Sequence, residues 1–250
     1  MTAPRDIRIF PNPQALFEAA AQDFVEQARA SVRGQGHFTV ALSGGSTPRG
    51  LFQVLSSKDH DLLPWDRMFF FWGDERHVPP DHPDSNYRMT HETLLSKVPV
   101  PAANIFRVPA EDADANEAAA SYEKTLHEFF RLKPGQLPQF DLILLGMGPD
   151  GHTASLFPES KGLQERKRLV IANWVEKFST FRITFTVPVL NAGRVVEFLV
   201  AGADKAPALH EVLEGNARAE LYPAKLVHPA DGRLVWMLDQ AAAASLTTKR

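Results

Sequence analysis

The chain has 250 residues, 44% of them hydrophobic and 23% charged, with a formal net charge of −3. That is the balance of an ordinary soluble globular protein, long enough to bury a substantial core. The charge shows no clustered basic excess of the kind a nucleic-acid binder carries, and the lack of any cysteine removes disulfides, thiolate nucleophiles and zinc–thiolate sites.

No apolar stretch approaches the length needed to span a bilayer, and "MTAPRDIRIFPNPQALFEAA" lacks a basic segment followed by an apolar core. A cytoplasmic protein without a nucleic-acid or membrane partner is therefore expected. Along the chain, "IRIF" (Ile7–Phe10) reads as a strand and is followed by a helix from about Pro13 to Val32, in which Leu16, Ala19, Ala20, Phe24 and Ala28 recur at near-helical spacing. "HFTVALS" is a strand, Pro48 suits the first turn of the helix "PRGLFQVLSS", and "RMFFFW" is a wholly apolar strand.

A polar loop and a helix from near Asn86 come next, then the helix Ala115–Phe130 and the strand "FDLILLG". "RLVIANWV", "FRITFTVPVL" and "RVVEFLVAG" read as strands, "DKAPALHEVLEG" as a helix and "RLVWML" as a strand before a final short helix. Apolar strands alternating with helices predict an α/β fold, a mainly parallel sheet covered on both faces, in one domain over residues 1–250. Ligands of such folds bind beyond the C-terminal ends of the strands.

Three strands end in polar, Gly-bearing loops. In "SGGSTP", Gly44 and Gly45 let backbone amides approach a ligand, the helix start adds partial positive charge, and Ser43, Ser46 and Thr47 add hydroxyls. This suits a phosphate monoester, although a tight turn with a helix cap reads the same way. In "WGDERHVPPDHPDSNYRM", Asp74, Glu75, Arg76 and His77 directly follow a strand. Arg76 there is a candidate for phosphate or a developing oxyanion, and Asp74 for orienting a partner or sugar hydroxyls. His77, His82 and Asp74 match no strong metal-ligand spacing, so no metal is expected.

The third loop, "LLGMGPDGHTASLF", carries Gly146-x-Gly148-x-x-Gly151 after an apolar run. A dinucleotide fingerprint needs an acid at the end of the next strand, which "RLVIANW" lacks, and Asp150 would repel a pyrophosphate. What remains is a glycine turn, with Gly148 and Gly151, presenting Asp150 and His152: a histidine base with a carboxylate to fix its tautomer. Arg182 and Lys205 are further candidates for an anion site, each readable alone as a solvated charge. No G-x-S-x-G elbow occurs.

Together and in this order, "LSGGSTPRGLF", "FFWGDERHVPPDHPDSNYRM", "LGMGPDGHTASLFP" and "RITFTVPVLNAGRVVEFLVAGADKA" resemble the 6-phosphogluconolactonase family. The resemblance implies a modified Rossmann-like sheet without a dinucleotide or other cofactor, a phosphosugar lactone as substrate, and a monomer or homodimer. It implies His152 as general base oriented by Asp150, with Ser43, Gly44, Gly45, Arg182 and Lys205 on the phosphate. Related deaminases follow the Asp-Gly-His with a segment like "IAFNEP", whose Glu position is held here by Phe157. One departure is "EKFSTFRIT", where the family often carries a Lys-Pro-type stretch. The alternatives are an amino-sugar-phosphate deaminase or isomerase, and a sugar-phosphate-binding regulator without catalysis.

Overall fold

The computed structural model describes residues 6–57 and 63–247. Its first strand, β1 (Asp6–Phe10), leads into helix α1 (Pro13–Gln35). Asn12 caps that helix by accepting the Ala15 N–H at 2.9 Å, and Pro13 supplies a first-turn residue that needs no acceptor. Gly36, with φ 85°, ends it by donating its N–H to Val32. The helix thus runs to Gln35, past the expected Val32, because the left-handed stop is Gly36 and not Gly34. It buries Leu16, Ala20, Ala21, Phe24, Val25 and Ala28.

The next elements are β2 (Phe38–Leu42), α2 (Ser46–Ser57), β3 (Met68–Trp72), β4 (Asp74–Arg76) and α3 (Asn86–Thr93). They are followed by β5 (Ile105–Phe106), α4 (Ala115–Phe130), β6 (Leu142–Leu145), β7 (Val170–Val175) and β8 (Thr180–Phe185). The remainder is α5 (Val187–Asn191), β9 (Val195–Val200), α6 (Ala206–Leu213) and β10 (Arg233–Asp239), with a final 3-10 turn at Ala242–Ser245.

Seven strands form one sheet in the order β1-β10-β9-β6-β2-β3-β5, with every pair parallel. The fold is the expected α/β one, a mainly parallel Rossmann-like sheet with packed helices. Strands such as β2 and β6 are buried along their whole length, which is why they read as unbroken apolar runs. Between β2 and β6 the strand order changes direction. The crevice this opens at the strand ends is the site such a fold provides for a ligand.

The structure corrects three expectations. "RLVIANWV" and "FRITF" do not join the main sheet. They pair antiparallel as β7 and β8 in a second sheet, β4-β8-β7. The strand expected through "TVPVL" ends at Phe185, because Pro188 sits in the first turn of α5 and starts a helix. The third correction is β4, read from sequence as loop. Gly73 donates its N–H to Leu42 at 2.8 Å and accepts from Phe185 at 2.8 Å, so it links the two sheets and delivers Asp74–Arg76 to β8.

Candidate active site

Loops after β2, β6 and β9, with β4 on one side, enclose a cleft of about 220 Å³. Of the residues singled out from sequence, Ser43, Gly44, Gly45, Ser46, Thr47, Asp74, Arg76, Gly148, His152 and Lys205 line it. Asp150, Gly151 and Arg182 do not, and each stands behind a residue that does.

The loop after β2 is fastened before it reaches the cleft. Ser43 is buried and donates its hydroxyl to the Leu144 carbonyl at 2.8 Å, which ties β2's loop to β6. This corrects its reading as a free hydroxyl donor: the acceptor-rich strand end claims the proton first. Gly44 lies so close to the Asn86 carboxamide that a Cβ would overlap it. Gly45 has φ +102°, a left-handed conformation that a side chain would strain. α2 then begins at Ser46, and Ser46 and Thr47, whose first-turn amides have no intrahelical acceptor, line the cleft with the positive end of the helix dipole behind them.

β4 places two acids and an arginine. Asp74 is buried and accepts the Ser155 hydroxyl at 2.7 Å, while its backbone carbonyl accepts the Asn86 amide at 2.9 Å. Glu75 points the other way and caps α3. It accepts the N–H groups of Asn86 at 2.7 Å and Tyr87 at 2.8 Å, and the Ser85 hydroxyl at 3.1 Å. Burial pushes the Glu75 carboxyl up, against the pull of those N–H groups.

Arg76 is paired in register with Arg182 across β4 and β8. The Arg182 Nε is buried with no hydrogen-bond partner among the described residues. Burial first, and then the charge of Arg76, lower the Arg182 guanidinium. His77 bonds the Asp112 carbonyl at 2.7 Å and His82 takes the Asp84 N–H at 3.1 Å, so the histidines of this loop point away from Asp74.

The glycine turn holds the acid–base pair. His152 Nδ1 lies 2.5 Å from Asp150 Oδ1, and the His152 N–H reaches the same oxygen at 3.3 Å. Burial alone would raise the Asp150 carboxyl. The hydrogen bond and charge of His152, its backbone N–H and Lys177 outweigh that and hold it well below the usual carboxylate range. An ionised Asp150 accepts a proton-bearing Nδ1, which leaves Nε2 as the lone-pair nitrogen on the cleft side.

Phe157 stacks on the imidazole with ring centroids 4.1 Å apart and 22° between planes. The turn itself closes internally: Gly148 donates to the His152 carbonyl and Gly151 to the Gly148 carbonyl, both at 2.9 Å. Those two amides are therefore occupied within the turn. Gly151 has φ +75°, and its carbonyl accepts the Ala224 N–H at 2.9 Å.

On the far wall Lys205, at the end of the 3-10 turn before α6, is mostly buried and lies 2.8 Å from Asp204. Sequence reading missed Asn86, Ser155 and Lys177. Asn86 had a signal, since Ser85 caps the helix it starts, but Ser155 and Lys177 reach the site only through pairings across the second sheet and its hairpin.

Residues 11–236 match the model of the family described as glucosamine-6-phosphate isomerases/6-phosphogluconolactonase. The chain is 44% identical to a 6-phosphogluconolactonase of Nostoc sp. strain PCC 7120, over 97% of this chain and 99% of the relative. It is 43% identical to one of Synechocystis sp. strain PCC 6803, over 96% and 98%. Among solved structures, 6-phosphogluconolactonase from Trypanosoma brucei superposes with a TM-score of 0.89 at 31% identity, covering 99% of this chain and all (100%) of that one. With three loops and strand β4 converging on one cleft and this likeness along its whole length, the chain belongs to the glucosamine-6-phosphate isomerase/6-phosphogluconolactonase family.

Proposed function

We propose that the chain hydrolyses 6-phospho-D-glucono-1,5-lactone to 6-phospho-D-gluconate, acting as one domain. The observation that carries this reading is His152, held from behind by Asp150, lining the same cleft as a helix start and a lysine. The first-turn amides of α2, Gly44, Gly45, Ser46, Thr47 and Lys205 take the phosphate, with Arg182 adding charge behind Arg76. Anchoring the phosphate away from the ester supplies binding energy that positions the reacting carbon.

His152 Nε2 removes a proton from water as its oxygen bonds to the lactone carbonyl carbon. Arg76 holds the oxyanion. As the tetrahedral intermediate collapses, the bond from that carbon to the ring oxygen breaks and the imidazolium returns its proton to that oxygen. One water is consumed and the ring opens to the acid.

Phe157 favours this over the deaminase reading. An apolar ring packed on the imidazole stands where the deaminases carry their Glu. A binding-only regulator would need the cations and the helix start but no oriented base.

The test follows freshly generated lactone at near-neutral pH against its spontaneous opening, with ammonia release from glucosamine 6-phosphate in parallel. Accelerated lactone loss without ammonia is expected, and His152→Ala should lower kcat by about 10²–10⁴-fold while product affinity holds. Lactone loss at the background rate would overturn the reading.

A further inference from the structure

The hairpin between β7 and β8 has no part in the reaction as described, yet its tip touches the acid–base pair. Glu176–Phe178 form a 3-10 turn, which Ser179 closes with φ 47°. Lys177 Nζ lies 3.4 Å from Asp150 Oδ2, the oxygen that His152 does not use. Phe178 meets Phe157 edge to face with centroids 5.7 Å apart, and Phe157 is the ring stacked on His152. The Arg182 guanidinium lies 5.3 Å over the same Phe178 ring. Two adjacent tip residues thus contact the carboxylate, the ring behind the base and the second arginine.

We propose that Lys177 is a positioning residue for the hydrolysis: it fixes the second oxygen of Asp150 and sets, through that carboxylate, how readily His152 holds a proton. This rests on His152 being the base. Asp150 has two oxygens and two partners, the imidazole on Oδ1 and the Lys177 ammonium on Oδ2, so its orientation is set from both sides. A cation beside the pair disfavours imidazolium, which keeps His152 available as base at lower pH.

On the cleft side the other charged groups are Asp74 and Arg76 from β4 and Lys205 before α6, with Arg182 of β8 beside Arg76, and on the side of Asp150 and Lys177 they are Glu159, Lys161, Glu165 and Glu176. Asp150 receives no hydrogen bond from any of them among the described residues, and a substitution at Lys177 leaves them in place. An ordinary exposed ion pair contributes little to stability. Lys177, though more than half exposed, matters here because its partner carries the catalytic imidazole.

The test compares wild type, Lys177→Gln and Lys177→Arg by kcat/KM against pH at low and high salt. In Lys177→Gln the acid limb is expected to move up by roughly half a pH unit, a loss of about threefold on that limb, and Lys177→Arg should restore it. In wild type, salt should move the limb the same way by screening Lys177, whereas in Lys177→Gln salt should have little left to move. Superimposable limbs for wild type and Lys177→Gln at low salt would overturn the proposal. So would a pH-independent loss that Lys177→Arg does not rescue, which is the mark of a merely structural hairpin. An NMR titration of the His152 ring in both proteins reads the same coupling without substrate, so it separates failure here from failure of the hydrolytic assignment.

Discussion

At Gly148 the missing side chain makes room for the Asp150–His152 pair. A Cβ there would overlap the His152 ring and come within 2.7 Å of Asp150 Oδ1. Its φ is not among the positive values that strain a side chain, so the backbone tolerates alanine and the dyad must give way. Gly148→Ala is therefore expected to keep its melting temperature within a few degrees while kcat falls by about 10²-fold or more, since small misplacements at a reacting centre are costly. Parallel thermal melts and lactone assays check this, and a variant that unfolds early would show that the turn, not the dyad, is what the glycine serves.

The dyad was legible from "PDGH" alone because both partners lie on one turn. The Asp150–Lys177 contact was not, since it spans a hairpin whose register sequence does not state.

Among elements, β4 was the least legible and the most consequential. Three polar residues after an apolar strand read as a loop, and only the pairing of Asp74 with Thr184 and Arg76 with Arg182 makes them a strand. "FRITF" was recognisable as a strand by its alternation, but nothing in it said which sheet it would join. The register puts two arginines side by side, an arrangement that repels until an anion arrives.

If Arg76 meets the oxyanion and Arg182 the phosphate, the two alanine variants separate kinetically. Arg76→Ala should lower kcat by about 10²–10³-fold, while Arg182→Ala should raise KM by about tenfold with kcat nearly kept. Steady-state kinetics on both variants check this, and a KM effect for Arg76 with an unchanged kcat would reverse the two roles.

For the whole molecule, the parallel sheet was legible because buried strands must be apolar along their whole length, and helices between them leave a second period. Thr39 in β2, Asp239 in β10 and Glu197 in β9 break that rule. Glu197 lies in β9, buried between β6 and β10, with Oε2 unpartnered among the described residues. Burial, and after it the charge of Asp23, push its carboxyl up to about 8 despite Arg8 nearby.

In the unfolded chain a Glu titrates near ~4.3. Between that value and about 8 the folded state holds a proton that the unfolded state has lost, so stability falls as pH rises through that window. Glu197→Gln should flatten this slope and leave the variant more stable at pH 9 by a few kcal/mol, on the order set by the shift. Thermal melts from pH 5 to 9 measure it, and parallel slopes in both proteins would assign the pH dependence elsewhere.

β1 is the outermost strand beside β10, and its five residues pair with Val235 through Asp239. Most of that neighbour is buried and apolar. The first strand is thus a cover as well as a wall. A molecule stripped of it would keep every group of the cleft while baring a flat, greasy row of unclaimed amides and carbonyls, a template on which identical copies could stack. In this protein the first five described residues of the chain are what cover that row.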